Sequence, residues 1–535
     1  MARVLMKGCE AIAEAAVRAG CRFFAGYPIT PQNEIPEYFA RRLPEVGGNF
    51  VQGESEVASV NMVYGAAAAG TRSMTSSASP GIALKSEGIS YCAAARVPIV
   101  YANISRGGPG VGAIQPAQQD YFQATKASGN GGFRMMVLAP STVQEAVDLT
   151  YAAFDYADRD MNPVLLLADG VIGTMMEPVE LPEMKTEEEI AAIKEGKKKW
   201  ACIGHELDYA NRSWIQPGQW DTKKMQEWNE RASEMYDSWE KDVMVEEYQV
   251  EDAELVLTAY GISARICKSV VDMLRKEGYK IGLIRPITVS PFPYASYDKI
   301  NYDICKAVLD VEMSIPAQFI EDVEMGVKGR CAIETCLCSG GNIMRRIRNM
   351  ELVYSRTKTI QEDKVSGFCP GCMHSTVVKL IGEALEEMNL VEKAVMVTGI
   401  GCCGLHMDYI AYDTITAPHG RACAVATGMK RSNPDSLYFT YQGDGDFASI
   451  GLAESVSAAN RGENITVIFI NNGIYGMTGG QMAPTTLVGM KASTAPKGRI
   501  PEEHGYPMHM CEILDKLTAP AYLVRTSCNT PQNVI

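Results

Sequence analysis

From residue 1 to about 182, segments whose apolar side chains recur three and four positions apart, such as 8–19, alternate with short unbroken apolar runs, such as 99–104 and 164–167. The first spacing is that of a helix with one buried face, and the second that of a strand covered on both faces. Their alternation predicts a mostly parallel sheet flanked by helices. The pattern returns near 254. A run at 255–260, a Gly-Ile-Ser turn, a helical period over 264–277 and runs at 281–285 and 307–311 predict a second, smaller parallel-sheet domain. Further runs near 394–398, 437–441 and 466–470 predict a third α/β segment.

Between these blocks the pattern fails. Residues 185–247 are densely charged, with Lys197, Lys198 and Lys199 in a row, and they hold all five tryptophans, Trp200, Trp214, Trp220, Trp228 and Trp239. The stretch reads as a helical insertion or arm whose indoles pin it to neighbouring domains; the alternative is a subunit contact, because clustered Trp and Arg suit interfaces. Residues 349–367 read as a polar joint, and 531–535 as the opening of a helix without a body, so the chain is expected to be incomplete at its carboxyl end.

Composition narrows the class. A chain of 535 residues, 46% of them apolar, exceeds what one core organises and predicts about three to four domains. A net charge of −14 argues against a surface built to neutralise phosphates, so nucleic acid is not an expected partner. No charged leader precedes an apolar run and no apolar stretch is long enough to span a bilayer, so the cytoplasm is the expected location. Sixteen cysteines scattered through so long a chain do not form a disulfide framework. Most are expected to be buried small apolar residues, with a few spaced as metal ligands.

Chemistry enters at Gly443-Asp444-Gly445-Asp446, directly after the 437–441 run and followed by a helix, a second strand and Asn471-Asn472. A magnesium ion on a diphosphate takes hard oxygen ligands and keeps phosphate oxygens among them. Asp444 offers a carboxylate, Asn472 an amide oxygen and Ile474 its main-chain carbonyl. Gly443 and Gly445 let the backbone approach the phosphates, and the helix that follows offers free N–H groups. Gly-Asp-Gly alone is a common acidic turn; the Asn-Asn at this distance, followed by Tyr475-Gly476-Met477-Thr478-Gly479-Gly480-Gln481, makes the motif specific.

Thiamine chemistry also needs a carboxylate against the N1′ nitrogen of the aminopyrimidine. Gln52-Gly53-Glu54-Ser55-Glu56 precedes an alanine-rich helical stretch over 57–69, where a desolvated carboxyl would share a proton with the ring. Glu56 is preferred to Glu54; the plainer alternative is two helix N-terminal acids stabilised by the dipole. Cys369-Pro370-Gly371-Cys372 is a compact thiolate pair, with Gly399-Ile400-Gly401-Cys402-Cys403 further on. Such pairs suit an iron-sulfur cluster or zinc, and His374 and His406 keep zinc open. Redox chemistry favours a 4Fe-4S cluster on Cys369, Cys372 and Cys402. The fourth ligand is not evident: Cys511 and Cys528 are available, and Cys336-Leu337-Cys338 reads as buried or incidental.

Taken together, these motifs resemble the 2-oxoacid:ferredoxin oxidoreductases over nearly the whole chain, and more closely the branched-chain type that acts on 2-ketoisovalerate. Gly26-Tyr27-Pro28-Ile29-Thr30-Pro31 looks like the family's substrate-side signature, and Arg106-Gly107-Gly108-Pro109 like its substrate-binding arginine loop. Glu56 falls where the family keeps its cofactor-activating glutamate. Those parts belong to the family's alpha chain, whereas Cys369, Cys372, Cys402, His419-Gly420-Arg421 and 444–481 look like its beta chain. The sequence thus resembles an alpha-beta fusion joined near 349–367.

The fold this implies is α/β and multidomain. A pyrimidine-binding thiamine diphosphate domain is expected over 1–184, the Trp-rich helical arm over 185–252 and a transketolase C-terminal-like domain over 253–352. A linker over 353–367 and a diphosphate-binding domain with iron-sulfur ligands over 368–535 complete it. Two departures matter. The family's fourth cluster cysteine follows a further helix and strand that this sequence does not reach, and Leu405 stands where some broad-specificity relatives carry a basic residue, which makes the pocket more apolar.

The activity implied is oxidative decarboxylation of a 2-oxo acid, 2-ketoisovalerate before others, to the acyl-CoA and carbon dioxide in anaerobic metabolism. Thiamine diphosphate, Mg2+ and a 4Fe-4S cluster are the expected cofactors, and coenzyme A the co-substrate. Ferredoxin or a ferredoxin-like subunit, a gamma subunit and an oligomeric assembly are the expected partners; the sequence has no CxxCxxCxxxC module to carry electrons onward itself. Glu56, Thr30 and Arg106 are the expected catalytic residues. Tyr27, Pro28, Ile29, His419, Gly420, Gly443 to Asp446, Asn472 and Ile474 to Thr478 are the remaining cofactor contacts. The rival readings are the same reaction on 2-oxoglutarate or pyruvate, a non-redox thiamine-dependent decarboxylase or lyase, and a non-catalytic scaffold that has kept the fold.

Overall fold

The unbroken apolar runs of the amino-terminal block fold as the middle of a seven-stranded sheet. Its order is Thr288–Ser290, Met136–Leu138, Val164–Asp169, Val100–Ser105, Ser73–Ser77, Phe23–Gly26 and Asn49–Gln52. The structure is a computed structural model that describes residues 3–126, 128–204, 213–219, 221–339, 357, 359–361, 364, 366–369, 372–407 and 409–527. The chain divides into two units, Met1–Met344 and Arg345–Ile535.

In the first unit the sheet is parallel except for the antiparallel edge strand Thr288–Ser290. Val100–Ser105 and Val164–Asp169 are buried at every position, as strands covered on both faces must be. Helix Gly8–Arg18 packs Cys9, Ile12, Ala16 and Val17 into the core beneath them. Ile12 and Val17 each contribute about 1.5–3 kcal/mol on burial. The second sheet of this unit runs Ala332–Leu337, Ala307–Glu312, Leu255–Thr258, Ile281–Pro286 and Val245–Tyr248, parallel but for its last strand. Arg285 ties the second sheet to the helix Val143–Asp160 that flanks the first: its guanidinium donates to both carboxylate oxygens of Glu145 at 2.8 Å and to Glu246 of its own sheet at 2.8 Å.

The second unit is built on four parallel strands in the order Asp413–Thr416, Ala394–Thr398, Leu437–Gly443 and Thr466–Ile470. Helices Met373–Glu387, Ala422–Ser432 and Leu452–Asn460 accompany them, with a two-stranded ribbon, Ile474–Tyr475 and Gln481–Met482.

Several local expectations are corrected. Gly261-Ile262-Ser263 is the first turn of helix Gly261–Lys276, because the Ile262 N–H finds a distant acceptor in Asp169 at 2.9 Å and Gly261 takes a φ of +58°. The charged stretch holds helices Glu187–Lys197 and Thr222–Asp237, but its end, Val245–Tyr248, is a strand that closes the second sheet. Its indoles differ in fate: Trp239 is buried and donates to Asp160 at 2.8 Å, whereas Trp214 is exposed. Trp220 lies outside the described residues. Of the fifteen described cysteines, only Cys9, Cys21, Cys92, Cys267, Cys305, Cys403 and Cys423 are buried, so burial does not account for most of them. Cys336 and Cys338 are exposed at the end of an edge strand. Cys528, residues 531–535 and most of the joint lie outside the described residues.

Candidate active site

Parallel strands present their carboxyl-terminal ends, and the loops that leave them, along one edge of a sheet, where open α/β sheets bind ligands. In the first unit the register pairs Gly26 with Gln52, Ser77 with Asn103, and Ser105 with Asp169. The segment Tyr27 to Thr30, the turn carrying Glu56 and the Arg106 loop therefore leave the sheet at the same edge. Ser55 caps the helix Glu56–Ala68, its Oγ accepting from the Ala58 N–H at 3.1 Å, and this places Glu56 in the first turn. Glu56 is 3% exposed, whereas Glu54 is exposed, which separates the two candidates. A side chain at Gly81 would meet Glu56 Oε1 at 2.9 Å and Ser77 Oγ at 2.0 Å, so the absence of Cβ there makes room for the carboxyl.

Arg106 is 5% exposed, and its guanidinium donates to the main-chain carbonyls of Thr30 at 2.8 Å and Val111 at 2.9 Å. Its burial pulls the guanidinium below its ordinary value, against the opposing charges of Glu56 and Asp120. The arginine thus joins the Thr30 segment to its own loop. The Thr30 hydroxyl accepts from the Asn33 amide at 3.3 Å. Gln119 holds the same loop to the second sheet's domain: it accepts from the Gly108 N–H at 2.9 Å and donates to the Ile315 carbonyl at 3.1 Å.

In the second unit Thr398 is level with Thr416 and Tyr441, and Gly443 with Ile470. The loops 399–403, 417–421, 443–446 and 471–474 therefore emerge together. Asp444 is 3% exposed; its Oδ2 accepts from the Gly473 N–H at 2.8 Å and the Thr485 hydroxyl at 3.2 Å. Burial pushes its carboxyl up to about 6. The Asp444 carboxylate is bonded to Gly473, which stands between Asn472 and Ile474, and with the Asn472 amide and the Ile474 carbonyl it supplies donors of the all-oxygen kind that a magnesium ion on a diphosphate takes, so these residues fit that pair.

Asp446 differs from its neighbour. Its Oδ1 accepts from the N–H groups of Ile400 at 3.1 Å and Gly420 at 2.8 Å, and its Oδ2 from the Gln442 amide at 2.5 Å. Gly399 must lack a side chain, because a Cβ would lie 2.2 Å from Asp446 Oδ2. The acid is thus a tether for three loops. His419 Nε2 stands 3.6 Å from the same carboxylate.

Gly476 brings the loop after the ribbon's first strand against Cys402, 3.4 Å from its Sγ to a Cβ position. Burial holds the Cys402 thiol above its ordinary value, and nearby Cys372 and Cys369 add to this. Three neighbouring thiols suit cluster iron; Cys511, the described candidate for a fourth, is half-buried. Among the described residues no three His, Cys, Asp or Glu side chains stand as a formed metal site. The histidines that kept zinc open are both buried beside Tyr441. His374 stacks on Phe368 and pairs with the Tyr441 hydroxyl at 2.7 Å, and His406 packs edge-on against Tyr441, pushed down to about 4 by burial. Thr485 and Gln442 escaped the sequence reading: only the fold carries Thr485 to Asp444, while Gln442 stands directly before the Gly443–Asp446 motif without being part of it.

Comparison with known proteins follows the same division. Residues 14–250 match the family described as pyruvate flavodoxin/ferredoxin oxidoreductase, thiamine diphosphate-binding, and 253–347 match core domain II of pyruvate:ferredoxin oxidoreductase. Residues 399–534 match the C-terminal binding domain of thiamine pyrophosphate enzymes. The ketoisovalerate oxidoreductase subunit VorB of Methanothermobacter marburgensis is 44% identical over 357 residues, which are 65% of this chain and 98% of the relative. Subunit VorA of Methanothermobacter thermautotrophicus is 51% identical over 167 residues, 31% of this chain and 35% of that protein. Among solved structures, the 2-oxoglutarate:ferredoxin oxidoreductase from Magnetococcus marinus superposes with a TM-score of 0.53 at 25% identity. That match covers 63% of this chain and 62% of the other.

Proposed function

This chain belongs to the 2-oxoacid:ferredoxin oxidoreductase family, and from that premise we propose that it oxidises the branched-chain acid 2-ketoisovalerate to its acyl-CoA. The class of reaction is thiamine-diphosphate-dependent oxidative decarboxylation of a 2-oxo acid with ferredoxin as acceptor. The observation that carries the substrate is the 44% identity to a ketoisovalerate oxidoreductase subunit along 98% of that subunit's length. The apolar Leu405, packed beside the cysteine loop, agrees with an aliphatic substrate.

Bound thiamine diphosphate supplies the carbon nucleophile and electron sink, and a 4Fe-4S cluster supplies one-electron relay. The chain's own residues bind and orient. Asp444, Asn472 and the Ile474 carbonyl hold the magnesium ion at the diphosphate end; Gly443, Gly445 and the 475–478 loop offer close backbone approach, with Asp446 fixing His419 and Gly420 beside them. Glu56 holds a proton against the aminopyrimidine N1′, in a desolvated position where a carboxyl can share it. Tyr27, Pro28 and Ile29 line the same edge. Arg106 and Thr30 orient the substrate carboxylate, and an arginine already bonded to two carbonyls is preorganised for that role. Cys369, Cys372 and Cys402 hold the cluster. Coenzyme A accepts the acyl group, and electrons leave to a separate ferredoxin or ferredoxin-like subunit, with a gamma subunit completing an oligomer. The domain boundaries suggested by the sequence, at about 184, 252, 352 and 367, divide these tasks.

The test is an anaerobic assay of protein reconstituted with iron, sulfide, thiamine diphosphate and Mg2+, following coenzyme A-dependent reduction of a viologen dye. The expected order of kcat/KM places 2-ketoisovalerate above pyruvate and 2-oxoglutarate. Preference for 2-oxoglutarate, the substrate in the name of the structural relative, would overturn the assignment.

A further inference from the structure

Helix Ser79–Ala95 carries one side chain that none of the roles above uses. Lys85 is fully buried, and its ammonium donates to the Thr75 hydroxyl at 3.0 Å and to the main-chain carbonyl of Glu56 at 3.3 Å. Burying an ammonium among neutral acceptors alone is costly, so an opposite charge is expected nearby. Gly81 lies one helical turn before Lys85 on the same face, and Gly81 is where the Glu56 carboxyl rests, with Oε1 2.9 Å from a Cβ position. One helix face therefore offers Glu56 a gap for its carboxyl and, a turn later, a buried cation.

We propose that Lys85 is a positioning residue for Glu56, a desolvated ammonium set behind the cofactor-activating carboxyl that holds its charge and thereby sets the proton affinity of the aminopyrimidine it faces. The inference rests on the assignment of Glu56 made above. The charged groups facing Glu56 are Lys85 and, from the loop after Val100–Ser105, Arg106, which is itself shared with Asp120. The strands Phe23–Gly26 and Ser73–Ser77, packed on the helix Glu56–Ala68, contain no charged residue. Burial brings Lys85 down to about 8, with Glu56 opposing that fall, so its charge persists at neutral pH. A cation close to a carboxylate favours the ionised form, and removing it raises the carboxyl's affinity for a proton.

Two measurements on the full chain test this without relying on turnover. In protein loaded with thiamine diphosphate and Mg2+, the near-ultraviolet circular dichroism of the aminopyrimidine tautomers is titrated with pH. Lys85→Met is expected to raise the midpoint by about one unit, a tenfold change in proton affinity. In cofactor-free protein, the thermal midpoints of Lys85→Met, Glu56→Gln and the double variant form a double-mutant cycle, expected to be non-additive because each single change strands the other's charge. An unmoved tautomer midpoint, or additive effects in the cycle, overturns the proposal. If Lys85→Met alone does not fold, the double variant must fold; failure of both also overturns it. The Glu56 assignment fails separately, by a Glu56→Gln protein that keeps turnover and the tautomer signal, and the cofactor-free cycle reads the pair whichever way that falls.

Discussion

At the scale of single residues, burial decides which of several acids does chemistry. Glu54 and Glu56 are two positions apart in one turn, yet only Glu56 is withdrawn from water. Glu56→Gln keeps the shape of the side chain and loses its proton exchange. Turnover is expected to fall by about 10²–10⁴-fold, the usual worth of a proton-transfer group, in protein that remains folded by circular dichroism. A second buried acid makes a different prediction. Asp310 is fully buried next to Glu312, and desolvation first, then the neighbouring carboxylate, holds its carboxyl well above the ordinary range. A carboxyl raised on folding contributes stability that is complete below the unfolded value, about 3.9, and is lost as pH rises through the folded one. Asp310→Asn should therefore flatten the decline in stability between the unfolded value and the folded one of about 8. Urea unfolding at pH 9 should show a gain of at least about 1.4 kcal/mol, the worth of one unit.

At the scale of elements, two carboxylates act as long-range fasteners. Asp169 ends its strand and caps the short helix after it through the Val171 and Ile172 N–H groups, while its second oxygen starts helix Gly261–Lys276 in the other domain. Asp446 gathers the loops bearing Ile400 and Gly420 and the end of the strand bearing Gln442. Asp446→Ala leaves two main-chain N–H groups and an amide without their acceptor, at about 1–3 kcal/mol for each that stays buried. The expected outcome is a loss of several-fold or more in Mg2+-dependent thiamine diphosphate affinity by calorimetry, with a lower urea midpoint. The Gly-Ile-Ser segment shows the limit of local reading: a turn by its residues became a helix start because a distant strand end supplied the acceptor.

At the scale of the whole molecule, one chain carries stretches similar to subunit VorB of Methanothermobacter marburgensis and to subunit VorA of Methanothermobacter thermautotrophicus, matching 65% and 31% of its length. The chain folds as two units. Binding at the Asp444 loop should stabilise the protein by mass action, by about 2.7 kcal/mol when ligand is a hundredfold above its Kd. Thiamine diphosphate with Mg2+ is thus expected to raise the thermal midpoint, and Asp444→Asn or chelation of the metal to remove that rise. A rise that survives Asp444→Asn but is lost on chelation would place the metal elsewhere.

Strands such as 100–105 and 394–398 were legible from residue order alone, because a buried parallel strand is mostly apolar on both faces; the half-exposed 466–470 was legible as an apolar run as well, whereas the buried but hydroxyl-rich Ser73–Ser77 was not. The family was legible too, since its loops keep their residues at set distances along the chain. What only the tertiary structure decided is how charge and hydrogen bonds are shared across those distances. Asp446 as a tether, Lys85 behind a glutamate and His374 on a tyrosine all depend on desolvation and on partners far apart in sequence. Those are set by packing, and residue order records them only as isolated polar letters in apolar surroundings.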